Sequence, residues 1–338
     1  MRIAVDAMGG DYAPDEIVLG AVQAAKEYDI EIVLVGDENA IKPLLTKHGT
    51  HNRLSIVHAS QVIEMCEQPS TAIRKKKDAS IVVATRLVKE GRCDAVVAAG
   101  STGAAVAAAM FGLGRIKGVE RTTIATPIPN LTGTTILLDS GANVDSKPKH
   151  LVQSAVMGSI YAEYVLGIQN PRVGLLNIGE EESKGNEQAL ATFPLLKQLT
   201  TINFIGNVEG RDIAKGTVDV VVCDGFVGNV VLKWGEGLSS AIMQLMKDAI
   251  KNSGLLTKLA SLAVLPALSG LKKKLDYAEY GGAPLLGVDG GFIICHGSSK
   301  AKAIKNAVRV ARDIVAQQVI SHIRENIAKE EFVTNGNE

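Results

Sequence analysis

The stretch Asp94–Phe111, DAVVAAGSTGAAVAAAMF, decides the fold. Ala95–Ala99 are small and apolar, which suits a strand buried on both faces of a parallel sheet. Gly100 breaks the run, Ser101 or Thr102 can cap a helix, and Ala104–Met110 continue as a strong helix former. A strand that enters a helix through the short Gly100-Ser101-Thr102-Gly103 turn aims free backbone N–H groups, with the positive helix end, at the crevice above the sheet. Such a turn holds a small anion, and no acidic residue stands within it to spoil the field. The same turn also fits an ordinary tight βα connection in a doubly wound fold.

Outward from this stretch, apolar runs alternate with helical patterns. Arg2–Val5, Glu31–Val35, Leu54–Val57, Ala95–Ala99 and Thr123–Thr126 read as strands. So do Thr134–Leu138, Val173–Asn177, Ile202–Ile205, Val218–Cys223 and Phe292–Cys295. Helical spacing marks Pro14–Tyr28, Ser80–Glu90, Pro148–Leu166, Glu187–Leu199 and a last helix from Lys300 to about Lys329. The alternation predicts an α/β fold: a doubly wound, largely parallel sheet in a three-layer α/β/α arrangement. No repeat or linker divides the chain, so residues 1–330 read as a single domain with a frayed tail at 331–338.

One region departs from the alternation. Residues 236–280 contain no strand and read as an inserted helical hairpin projecting from the sheet. Leu238, Ile242, Leu245 and Ala249 line one helix face, and Gly254 interrupts it. The following apolar segment carries Leu255, Leu256, Leu259 and Leu262, contains Pro266 and ends in Lys272, Lys273 and Lys274. It is too short to span a bilayer and suits reversible contact with an anionic membrane surface, or the pairing face of a homodimer.

Composition bounds the function. The 338 residues, 46% of them hydrophobic, can bury a large core. Lys+Arg and Asp+Glu both number 36, so no basic footprint for nucleic acid exists, and 4% aromatics argue against a base-stacking surface. Cys66, Cys93, Cys223 and Cys295 are widely spaced, which reads as reduced core thiols in a cytoplasmic protein. Neither the cysteines nor the six histidines have metal-ligand spacing, and no Walker A, dinucleotide fingerprint or GxSxG elbow appears.

Ligands of a doubly wound sheet bind at the carboxyl ends of the strands. Besides Gly100–Gly103, the strand-end loops carry Asp6, Gly9 and Gly10; Asp139, Ser140, Gly141 and Asn143; Lys184; Asp224 and Asn229; and His296, Ser298 and Lys300. Each has a bland reading as well: Gly9-Gly10 as a turn, Asp139 and Ser140 as caps, Lys184 as a solvated charge, His296 as a core imidazole.

The strings DAMGGDYAPDE, AAGSTGA, LLDSGAN, NIGEEESKGNE, GNVEGRDI, DVVVCDGFVGNVVLK, GGAPLLGVDG and HGSSK occur in this order to about residue 330. They resemble the bacterial fatty acyl-ACP:phosphate acyltransferase (phosphate acyltransferase) family. That resemblance implies a fold related to phosphotransacetylases and isopropylmalate-type dehydrogenases, and no cofactor. It implies an enzyme moving a long acyl group from acyl carrier protein to inorganic phosphate. The acyl phosphate would feed a membrane glycerol-3-phosphate acyltransferase, from a position on the inner face of the cell membrane. Direct attack of phosphate fits the residues. Ser101, Thr102 and Gly103 would hold it, with Asn143, Asn229 or Lys184 at the thioester oxygen and His296 or Lys300 at the leaving thiolate. Asp6, Gly9, Gly10, Asp139, Ser140, Gly141, Asp224 and Ser298 would line the substrate site. Arg74, Lys75, Lys76 and Lys77 are candidates for docking the acidic carrier. A CoA-dependent phosphotransacetylase and a non-catalytic membrane-surface scaffold binding the carrier are the competing readings.

Overall fold

A computed structural model describes residues 1–254, 260, 270 and 274–335. The α/β alternation holds, with the strands shared between two sheets. In the first, the order is β3 (Leu54–His58), β2 (Glu31–Gly36), β1 (Arg2–Asp6), β4 (Ala95–Ala98), β12 (Gly291–Ile294), β11 (Ala283–Leu286) and β5 (Thr123–Ile124). Its first five strands run parallel, and β11 is antiparallel to both neighbours. The second sheet has the order β6 (Thr126–Pro129), β7 (Thr134–Leu138), β10 (Val220–Val222), β8 (Arg172–Leu176) and β9 (Asn203–Val208). Only β6 is antiparallel there.

The expected strand Thr123–Thr126 is thus two strands in different sheets, separated by the fully buried Ala125. The strand Ala283–Leu286 has no alternation to announce it, because Pro284 and its flanking glycines read as a turn. One apolar core joins the sheets: Ile3 and Ile32 of the first and Leu138, Val173 and Val220 of the second share it with Met157 and Tyr161 of the helix Pro148–Tyr164.

β4 is buried along its whole length, as its small apolar residues require, and passes through the Gly100 turn into α5 (Thr102–Gly112). The last helix is two, Ala301–Ala316 and Val319–Asn335, broken where Gln318 adopts a left-handed φ of 51°. Ile304, Val308, Val319, Ile323 and Ile327 are buried as their spacing predicts, whereas Val315 beside the break is partly exposed. Of the expected tail 331–338, residues through Asn335 belong to the helix Val319–Asn335, and 336–338 lie outside the described residues.

The helix Gly225–Lys251 begins well before the expected boundary at 236. Four glycines in its first half mask it at the level of propensity. Trp234, Leu238, Ile242 and Leu245 on this helix are exposed. Leu255, Leu256, Leu259 and Leu262 lie outside the described residues. Among the described residues no helix is long and apolar enough to cross a membrane.

Candidate active site at the junction of the sheets

Ser101 caps α5: its Oγ accepts from Ala104 N at 3.5 Å and its carbonyl from Ala105 N at 2.9 Å. The N–H groups of Thr102 and Gly103 have no acceptor among the described residues, so the first turn presents unsatisfied donors and a positive helix end. These donors open onto a groove of about 530 Å³. Val106, Ala107, Met110 and Phe111 of α5 give it an apolar wall, and Gly141 and Ala142 of the second sheet close it. Gly103 is needed where it stands, since a Cβ there would lie 2.8 Å from Cγ of Pro69, which opens the helix Pro69–Lys75. Phe111 is 54% exposed, with the Arg74 guanidinium 4.9 Å above its ring.

The turn is not free of acid. Asp6 is buried, and a Cβ on Gly9 would lie 2.7 Å from its Oδ2 and 3.1 Å from Gly100 N. Burial pushes the Asp6 carboxyl above the usual carboxylate range, against hydrogen bonds from Ser80 and from the N–H of Met8 and Gly9. Gly10, with φ of 115°, packs against the carbonyls of Ala99 and Gly297, and Asp11 N donates to Gly297 O at 2.9 Å. The loops after β1, β4 and β12 are therefore in direct contact.

From the second sheet, Asp139 organises its own loop. Its Oδ1 accepts from the N–H of Ile124, Gly141 and Ala142, and its Oδ2 from Asn143 N and Asn143 Nδ2, all within 3.1 Å. Burial pushes this carboxyl up, while hydrogen bonds from the N–H of Ala142, Ile124 and Gly141 and from the Asn143 side chain pull it down. Asn143 Nδ2 also donates to Thr122 O at 2.6 Å, so both hydrogens of its amide have acceptors within the loop. Ser140 Oγ lies 2.6 Å from Thr126 Oγ1.

The helix Gly225–Lys251 docks on this loop through Gly225 and Gly228. A Cβ at Gly225 would lie 2.5 Å from Asn143 O, and one at Gly228 would overlap the Asp139 carbonyl oxygen. Asp224 caps the helix by accepting from Val227 N at 2.9 Å. Asn229 Nδ2 donates to Ser140 O at 3.0 Å. One turn on, Lys233 Nζ reaches across to the first sheet, 3.2 Å from His296 Nε2. Lys233 escaped the reading of the sequence, although its place four residues after Asn229 puts it on the same helix face.

His296 is exposed rather than a core imidazole, and its Nδ1 lies 2.7 Å from Ser298 Oγ. Lys300 Nζ lies 4.8 Å over the Tyr12 ring. Lys184 is exposed on the loop after β8; among the described residues its backbone bonds stay within that loop, to Glu181 and Asn177. Cys93, Cys223 and Cys295 are buried free thiols and Cys66 is exposed, which corrects the expectation of four core thiols. Burial pushes the Cys295 thiol up to about 12 and leaves it a poor nucleophile. Among the described residues no three His, Cys, Asp or Glu side chains cluster as metal ligands.

The fold and this groove define an α/β protein of the phosphotransacetylase architecture. The solved phosphotransacetylase of Streptococcus pyogenes superposes with a TM-score of 0.64 at 17% identity, over 95% of this chain and 94% of that one. Residues 1–322 match the family described as "Fatty acid synthesis protein". The phosphate acyltransferase of Heliobacterium modesticaldum is 63% identical over 97% of this chain and 98% of its own. That of Pelotomaculum thermopropionicum is 59% identical over 97% and 95%. The chain belongs to this family and is an enzyme of the phosphate acyltransferase kind.

Proposed function

We propose that the chain moves a long fatty acyl group from acyl carrier protein to inorganic phosphate, for phospholipid synthesis. The observation that carries the reading is a groove with free amides at one end and an apolar wall along its length. Phosphate binds the N–H groups and hydroxyls of Ser101 and Thr102 and the N–H of Gly103. The acyl chain lies along Val106, Ala107, Met110 and Phe111. Bound side by side, the two reactants gain several kcal/mol, up to about 7–11 in ideal geometry. Asn229 and Lys184 are the donors for the thioester oxygen, each of which is worth about 3 kcal/mol where preorganised. His296 and Lys300 serve the leaving thiolate.

The test is acyl-carrier protein with phosphate, trapping acyl phosphate with hydroxylamine and counting released thiol. Acyl-CoA as the better donor would favour the phosphotransacetylase reading, and no turnover with either would leave a scaffold. Replacing Ser101 and Thr102 together by alanine removes two charge-assisted hydrogen bonds. The KM for phosphate is expected to rise on the order of 10-fold or more, and an unchanged phosphate dependence removes both residues from the site.

The exposed apolar face of Gly225–Lys251 pairs with a second copy in this reading, and Leu255–Lys274 meets anionic lipid on the inner face of the membrane. Labile product would then arise beside a glycerol-3-phosphate acyltransferase. Flotation with anionic liposomes should carry the wild type, and Leu255→Glu with Leu259→Glu should leave it in solution.

A further inference from the structure

The groove that starts at the free amides of α5 also has a far end. Thr102, Gly103, Val106, Ala107, Met110 and Phe111 line it, so its wall is one face of the helix, with residues recurring every fourth position. Phe111 stands nine residues after Thr102, and at about 1.5 Å per residue the wall is about 13.5 Å long. It stops there because the helix stops. Gly112 is the last residue of α5, and Leu113 turns into the core at 2% exposure.

The far end is charged. Across the groove from α5, Pro69 and Ser70 open the helix Pro69–Lys75. Arg74, four residues after Ser70, lies on the same face of that helix. Its guanidinium stands 4.9 Å over the Phe111 ring. Among the described residues Arg74 forms no ion pair, so its charge meets only the ring face and solvent. An apolar wall thus gives way to a hydrated cation at the place where the helix ends.

We infer that Phe111 and Arg74 measure the acyl chain: Phe111 grips the last methylenes that the groove covers, and Arg74 ends the gain beyond them. The inference rests on the acyl-transfer reading, which sets the carbonyl carbon beside the amides of Thr102 and Gly103. A fully extended chain advances about 3.3–3.6 Å for every three backbone bonds, so the wall takes on the order of 12 carbons. Up to that length each added methylene leaves water for the α5 face. Past it, a methylene meets a guanidinium that keeps its hydration, and burial ends. The pair sets specificity at a distance from the reacting atoms.

Octanoyl, dodecanoyl and hexadecanoyl carrier proteins, followed by phosphate-dependent thiol release, test this. In the wild type kcat/KM should rise about 2-fold per methylene from octanoyl to dodecanoyl, since a groove open on one side realises about half of full burial. From dodecanoyl to hexadecanoyl it should stay within about 2-fold. Phe111→Ala should lower the dodecanoyl-to-octanoyl ratio about 5-fold, and Arg74→Ala should raise the hexadecanoyl-to-dodecanoyl ratio about 3-fold. Arg74→Lys, which keeps a cation over the ring, should hold that second ratio at the wild-type value. Both side chains are exposed, so their removal leaves no buried gap. A loss of stability or of carrier docking scales all three donors together and cancels in the ratios. An unchanged first ratio in Phe111→Ala, an unchanged second ratio in Arg74→Ala, or a raised second ratio in Arg74→Lys would overturn the gauge. A wild-type enzyme that releases no thiol from any of the three donors would instead overturn the acyl-transfer reading.

Discussion

Gly228→Ala is expected to lose about 3 kcal/mol of stability and, at temperatures where it remains folded, to lower kcat on the order of 100-fold, the cost of misplacing reacting groups by about 1 Å. The added Cβ would overlap the Asp139 carbonyl oxygen and lie 3.1 Å from Cys223 Sγ. The obstacle is backbone, so the helix Gly225–Lys251 must lift from the 139–143 loop. Asn229 and Lys233 ride on that helix and move with it. Gly237→Ala in the same helix is the control. Nothing lies within 4 Å of its Cβ position, so the usual helix preference for alanine should stabilise it by about 0.5–1 kcal/mol. Urea midpoints and steady-state rates for the pair check both halves. Equal behaviour of the two variants would mean that the helix does not dock through Gly228.

Asp139→Asn is expected to cost about 3–6 kcal/mol, the worth of two charge-assisted hydrogen bonds, and to abolish transfer. The carboxylate accepts five hydrogen bonds, three on Oδ1 and two on Oδ2. An amide keeps one oxygen and turns an NH2 group toward at least two N–H donors. Asp224→Asn offers the contrast, since the Asp224 carboxylate caps the helix by accepting from Val227 N, and asparagine caps a helix as well as aspartate does. Its midpoint should move by less than about 0.5 kcal/mol. A mild Asp139→Asn phenotype would show that the loop holds its shape without the carboxylate.

Much of the fold was legible because local pattern and tertiary role agree along most of the chain. The expected helix Glu187–Leu199 ends one residue from the observed Glu187–Gln198, and the buried stripe from Ile304 to Ile327 follows its spacing except at Val315. The misreadings fall where a residue serves a distant neighbour. Gly225 and Gly228 look like helix breakers and are small because another loop lies against them. Pro284 looks like a turn and sits in a strand. In the site, the capped start of the helix was legible from Gly100–Gly103, since a helix cap is a local event. That Asp6 lies beside the turn, that Asn143 is committed to Asp139, and that Lys233 meets His296 depend on how two sheets pack, which no single stretch encodes.

Ala125 is the only residue between a strand of one sheet and a strand of the other. Its neighbour Ile124 donates to Asp139, and Ser140 N donates back to Ile124 O at 3.2 Å. The gap across which the two halves face each other is therefore gauged by covalent bond lengths, with little left to side-chain fit. A chain one residue longer at this point would gain about 3.4 Å of reach, as much as the whole length of a hydrogen bond between the two sheets, and the halves would lose their common ruler.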